Sequence, residues 1–173
     1  DWYHRLEITY KAVEQLLNGP QDVVKAISGL LDEKVDLQKQ VEKFTRENTR
    51  LFKEQLLRKV NRSNNMSIIQ AVAAEPVNDP AIIKDVAFQL KNEIEDLYLV
   101  IGTIAGGKPY LAVAVSDKLI SERRLHAGEI VRIAAREFDG GGGGQPFYAN
   151  AGGKNSDKLK QAMDKAVEIA GSK

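Results

Sequence analysis

Residues 139–155, DGGGGGQPFYANAGGKN, combine five consecutive glycines, two adjacent aromatics and a second glycine pair, and cations gather around them in the sequence. Arg124, Gly128, Arg132 and Arg136 recur every four residues, so on a helix they form one stripe with a bare position in it. Lys154, Lys158, Lys160 and Lys165 follow the second glycine pair, and Arg58, Lys59 and Arg62 make a third basic group. The chemistry this favours is non-covalent capture of an anion. Glycines leave backbone N–H groups bare, and a helix start expected at Asn155-Ser156-Asp157 adds free donors suited to phosphate. The candidate contacts are Arg124, Arg132, Arg136, Gly141, Gly142, Gly143, Gly144, Gln145, Tyr148, Asn150, Gly152, Gly153, Lys154 and Lys158. Phe147 and Tyr148 add π-faces for stacking on exposed bases, or serve as core anchors that pin the loop; alternation buries one and exposes the other. Any one basic group alone reads as ordinary helix surface, and a glycine run alone is a weak signal. Three groups bracketing one glycine stretch favour binding, and the apolar continuation into a helix disfavours a slack linker.

Other chemistries find little support. Gly102 to Lys108 fits the first seven places of a phosphate-binding P-loop, but the eighth, which needs Ser or Thr, is Pro109, and the residues that follow alternate like a strand. A tight turn between strands is expected there, and no ATP site. His4 and His126 have no ligand-spaced partners, there is no cysteine, and no metal or cofactor is expected. His126 lacks a nucleophile or paired carboxylate nearby in sequence, and Asp85, Glu93, Glu95 and Asp96 form no recognisable acid pair. No catalytic residue is predicted. A net charge of +1 over 173 residues provides no bulk attraction to nucleic acid, so any such contact rests on local patches. No apolar run is long enough to cross a membrane. The start DWYHRLEITY has neither an initiator methionine nor a basic or apolar leader and reads as the interior of a longer chain; a cytoplasmic setting is expected.

The elements that must position these residues are of two kinds. Over residues 1–18, Trp2, Leu6, Val13, Leu16 and Leu17 suit an amphipathic helix that Asn18-Gly19-Pro20 stops. From Asp22 to about residue 60 a second helix, about 58 Å long at about 1.5 Å per residue, carries Leu30, Leu37, Phe44 and Leu51 at one heptad position and Ile27, Lys34, Val41, Asn48 and Gln55 at the other. A helical hairpin with a protruding arm is expected, with a coiled-coil partner surface as the alternative, since half of the seam is polar. The cluster 61–65 reads as the boundary between a helical arm at 1–62 and a globular domain at 65–173. Strands are expected at 66–73, 97–104 and 110–115, and helices at 79–92, 127–138 and 156–170. That is an α+β fold, a small mixed sheet with helices in the order βαββαα.

Residues 126–170, centred on HAGEIVRIAAREFDGGGGGQPFYANAGG, resemble the C-terminal domain of alanyl-tRNA synthetases, a DHH-associated domain also found in DHH phosphoesterases. The pattern is Ala127-Gly128, a basic amphipathic run, the glycine cluster, Pro146, then Ala149-Asn150-Ala151-Gly152-Gly153 before a last helix. The arm and the strand-helix-strand-strand portion extend the resemblance over essentially the whole chain. Where bacterial relatives carry a basic residue in the cluster and Arg before the Pro, this chain has glycine and Gln145, and Phe147 stands at a commonly acidic place. The resemblance implies a non-catalytic module that contacts the elbow of tRNA(Ala) and couples charging to editing. It implies upstream catalytic and editing domains that use ATP, magnesium and zinc, and in some members dimerisation through the helical part. A substrate-binding domain of a DHH phosphoesterase is the other family reading, disfavoured by the long helical arm.

Overall fold

Helix α1 (Trp2–Leu16) ends where its residue types require: Gly19 sits at φ +67° and donates its N–H to the Glu14 carbonyl at 2.8 Å. The structure, a computed structural model, describes residues 2–172. Helix α2 (Val23–Arg58) begins under Asp22, whose carboxylate accepts the Lys25 N–H at 2.9 Å, and runs unbroken for 36 residues. The chain divides into two compact units between Phe44 and Thr45, inside α2. Within the first unit no residue of α1 is buried, and Leu30, Leu37, Val41 and Phe44 are exposed. Val23 at the start of α2 is buried, but among the described residues neither core cluster includes one of α1 or one of α2 before Phe52.

The second unit is built on a six-stranded sheet. The strands are β1 (Asn61–Ser63), β2 (Met66–Ala73), β3 (Leu97–Ala105), β4 (Lys108–Val115), β5 (Gly141–Gly144) and β6 (Tyr148–Gly152), in the order β1-β2-β3-β4-β6-β5. Only β2 and β3 are parallel, joined through helix α3 (Pro80–Glu93); the other neighbours are antiparallel. Burial runs without a break over β3 from Leu97 to Thr103 because both faces of the sheet are covered. On one face, Tyr98, Val100, Leu111 and Val113 pack with α5 (Ala127–Ala134) and α6 (Leu159–Gly171). On the other, Leu99, Ile101, Ala112 and Ala114 pack with α3 and with Phe52 and Leu56 of α2, which ties the last turns of the long helix to the sheet.

Local signals explain the clearest elements. Asp79 caps α3 by accepting the Ala81 N–H at 2.7 Å, with Pro80 in the first turn. Asp79→Ala is expected to cost about 1 kcal/mol, seen as a small fall in melting temperature with the folded spectrum unchanged. Gly106 and Gly107, at φ +56° and +78°, make the two-residue turn between β3 and β4 that the failed P-loop match pointed to.

Three features depart from the expected order. The 61–65 cluster supplies strand β1, a short helix α4 (Asp117–Arg123) follows β4, and the glycine stretch is a β-hairpin, not a loop. Four glycines in a row have no side-chain alternation from which a strand could be read. The expected helix over 127–138 is α5 followed by a 3-10 turn, Ala135–Phe138.

Candidate nucleic-acid interface

Strand β5 lies at one edge of the sheet, its four glycines paired with Ala149 to Gly152 of β6. Gln145 donates its N–H to the Tyr148 carbonyl at 2.9 Å, closing the hairpin over Pro146 and Phe147. Alternation along an antiparallel ladder then turns the N–H groups of Gly141 and Gly143 towards β6 and those of Gly142 and Gly144 to the outer edge. Gly142 and Gly144 are both exposed.

Packing accounts for much of the glycine content. A Cβ on Gly153 would lie 1.9 Å from Cδ2 of Phe138, and one on Gly140 would lie 2.4 Å from Cε2 of the same ring. Phe138 is fully buried, so the two glycines clasp a core side chain. Added Cβ atoms on Gly142 and Gly144 would meet the β6 backbone at 2.1 and 2.5 Å, and one on Gly128 would meet the Gly144 carbonyl at 2.6 Å, the approach of α5 to the hairpin. Gly141 faces open space, and the nearest atom to a Cβ on Gly143 is Nη2 of Arg132 at 3.9 Å. Thus the strand is side-chain-free for two reasons: one side fits tightly against β6, and the other is left clear beside an arginine.

The structure gathers some of the predicted cations and separates others. Arg132, Arg136, Lys154 and Lys158 are exposed and form no ion pair among the described residues. Lys160 behaves alike, whereas Lys165 pairs with Glu168 at 3.0 Å. The expected single stripe is broken, since Arg124 caps α4 at φ +54° outside the next helix, and Arg136 stands on the 3-10 turn, where residues advance by a different angle. Arg58, Lys59 and Arg62 do not bracket the glycine strand at all: they lead into and lie on β1, the opposite edge.

Two further expectations change. Lys154 and Asn155 each donate their N–H to the Phe138 carbonyl at 3.2 Å, Gly153 to Pro109, and Gly140 to Ala135. Asn155 caps a 3-10 turn, Ser156–Lys158, by accepting the Asp157 N–H at 3.2 Å, so no free helix start faces a ligand there. Tyr148 is buried rather than offered for stacking: its ring packs 5.5 Å from Phe88 and its hydroxyl lies 3.2 Å from that of Tyr110. Burial, with the Tyr110 contact second, raises its phenol above the ordinary range. Phe147 is the half-exposed aromatic, with the Lys91 ammonium 5.0 Å from its ring centre. Asn150 and Gly152 are exposed on β6, and Gln145 is exposed at the turn.

Sequence reasoning missed the role of Phe138 and the neighbourhood of the β3–β4 turn. Gly153 bonds Pro109 at 3.1 Å and Ser156 Oγ bonds the Gly107 carbonyl at 3.4 Å, which brings the exposed Lys108 to the same end of the hairpin. Only long-range pairing reveals this. Among the described residues no group of three or more His, Cys, Asp or Glu side chains is placed to hold a metal, and no helix is long and apolar enough to cross a membrane. What the geometry supports is an open backbone edge with unpaired cations beside it, suited to phosphate and to base edges.

Comparison with known proteins converges on one group. The DHHA1 domain model matches residues 65–172. An alanine–tRNA ligase of Bacteroides fragilis is 41% identical over 167 residues, 96% of this chain and 19% of that protein, and one of Bacteroides thetaiotaomicron is 39% identical over the same length. The chain thus spans about a fifth of the length of these relatives. The crystal structure of the C-Ala domain from Aquifex aeolicus alanyl-tRNA synthetase superposes with a TM-score of 0.58 at 25% identity, covering 65% of this chain and 98% of that one. RecJ from Thermus thermophilus shares the fold, with a TM-score of 0.54 at 14% identity over 94% of this chain and 23% of that one.

Proposed function

The chain belongs to the DHHA1 domain family, and from that premise we propose that it is a non-catalytic, tRNA-binding module of an alanine–tRNA ligase. It holds the elbow of tRNA(Ala) and so helps one tRNA reach both the charging and the editing centres of a cytoplasmic enzyme. The catalytic and editing domains, with their ATP, magnesium and zinc, belong to the rest of that enzyme; this module uses no cofactor of its own. The observation that carries the reading is the outward edge of β5, with Arg132 the side chain nearest the clear side of Gly143 and with Lys154 and Lys158, which follow β6, exposed and in no ion pair among the described residues. Backbone donors and a few cations recognise shape and phosphate, which is how folded RNA is most often read.

Filter binding against a tRNA(Ala) transcript with intact D- and T-loops, and against one whose loop–loop contacts are disrupted, tests the reading. Tighter binding of the intact elbow is the expected result, and equal affinity would overturn it. Because few cations are involved, the affinity should fall with salt along a shallow line, with a log–log slope of about −3 to −5.

A second reading concerns assembly. The absence of buried residues in α1 and the exposed Leu30, Leu37, Val41 and Phe44 of α2 favour self-association through the helical unit. Light scattering of the chain with and without residues 2–44 tests this; a dimer that persists after truncation would exclude the arm as its cause.

A further inference from the structure

The basic group Arg58, Lys59 and Arg62 is left over by the function above, because it lies at the sheet edge opposite the glycine strand. Six strands place the two edges about 24 Å apart at about 4.8 Å per step. The β1 edge has its own composition. From Arg58 to Asn65 the sequence RKVNRSNN holds three cations, four amide or hydroxyl side chains and no carboxylate, and all but Val60 are exposed. Asn64 and Asn65, at φ +50° and +56°, make the tight turn into β2, so Ser63, Asn64 and Asn65 form a polar tip. Arg123 donates from Nη2 to the Asn64 carbonyl, bringing a fourth cation to that tip, and Arg124 follows it. Arg58, Lys59, Arg62 and Arg124 form no ion pair among the described residues. Of the acids at this end of the sheet, Asp96 accepts from Ser67 Oγ at 2.9 Å, Glu95 beside it is exposed, and Glu122 is exposed on the helix that carries Arg123.

We propose that the β1 edge is a second RNA-binding surface, which takes the phosphate backbone of a duplex arm independently of the glycine hairpin. Unpaired cations interleaved with Asn and Ser side chains are the groups that contact phosphate and sugar oxygens without reading sequence. A short edge strand with unpaired backbone groups adds donors along the same line. The surface rests on the preceding reading only in taking RNA as the ligand, and it differs in the feature recognised: backbone charge here, the folded elbow at β5.

The test uses the 173-residue chain, the intact-elbow tRNA(Ala) transcript and a simple RNA stem–loop of equal length. In R58Q/K59Q/R62Q the salt slope for both RNAs should become shallower by about 2 to 3, and low-salt affinity should fall about tenfold or more, while the preference for the elbow stays. R58K/R62K, which keeps the charge, should retain the slope, and an unchanged melting temperature shows that the edge still folds. A triple variant whose slope matches the unsubstituted chain on both RNAs overturns the proposal. If the unsubstituted chain shows no preference for the elbow but its slope still depends on these three cations, the function above fails and this surface stands.

Discussion

Gly153→Ala is expected to destabilise the second unit by about 2–3 kcal/mol, the range of an overpacked core. The added methyl would lie 1.9 Å from a ring carbon and 2.6 Å from the carbonyl of Phe138, a residue with no exposed surface. The ring has no room to yield, since it is enclosed by the cluster that includes Ala134, Ala135, Ala151 and Leu159. Its carbonyl is also fixed, by accepting from both Lys154 and Asn155. Thermal unfolding should report the change as a fall of roughly 8 °C for a unit of this size. Gly141→Ala, where nothing lies within 4 Å, is the control and should stay within about 0.5 kcal/mol. Equal losses at both positions would mean that the Phe138 clasp does not explain the glycine at 153.

Arg132→Glu should weaken binding of the intact-elbow tRNA by about tenfold or more, or about 1.4 kcal/mol, with little effect on the fold. Arg132 is exposed in the last turn of α5 and is the side chain nearest the clear side of Gly143. Reversing its charge puts a carboxylate where phosphate is expected and also loses a small helix-dipole benefit, a few tenths of a kcal/mol at an exposed site. Arg132→Gln should lose less affinity and flatten the salt slope by about 1. Arg124→Gln is the comparison, because Arg124 caps α4 outside the helix that carries Arg132 and should leave the elbow preference intact. If Arg124→Gln abolished that preference and Arg132→Glu did not, the site would be misplaced.

These two substitutions show what could and could not be read from the sequence. The helices were legible because their ends carry their own chemistry: Asp22 and Asp79 as caps, Gly19 as a stop. The central strands were legible from unbroken apolar residues, as in LYLVIGTI. Strands β1 and β5 were not, since NRS and GGGG have no alternation, and their place is set by partners far along the chain. The candidate site followed the same division. That a glycine run among cations points to anion capture was visible locally. Which donors stay open was not, because Phe138, Pro109 and Ala135 supply acceptors that use up the amides of Gly153, Lys154, Asn155 and Gly140. Nor did sequence distance show that Arg58, Lys59 and Arg62 would stand across the sheet from the residues they were grouped with.

The most direct measurement is a spectrum of the chain labelled with nitrogen-15 at glycine only, recorded as the intact-elbow tRNA is added. The amides of Gly142 and Gly144 should shift or broaden together with their neighbours on β5, while those of Gly19 and Gly29 in the helical unit stay in place. Bound RNA with the Gly142 and Gly144 signals unmoved would contradict the claim that this bare strand edge is where the tRNA is held.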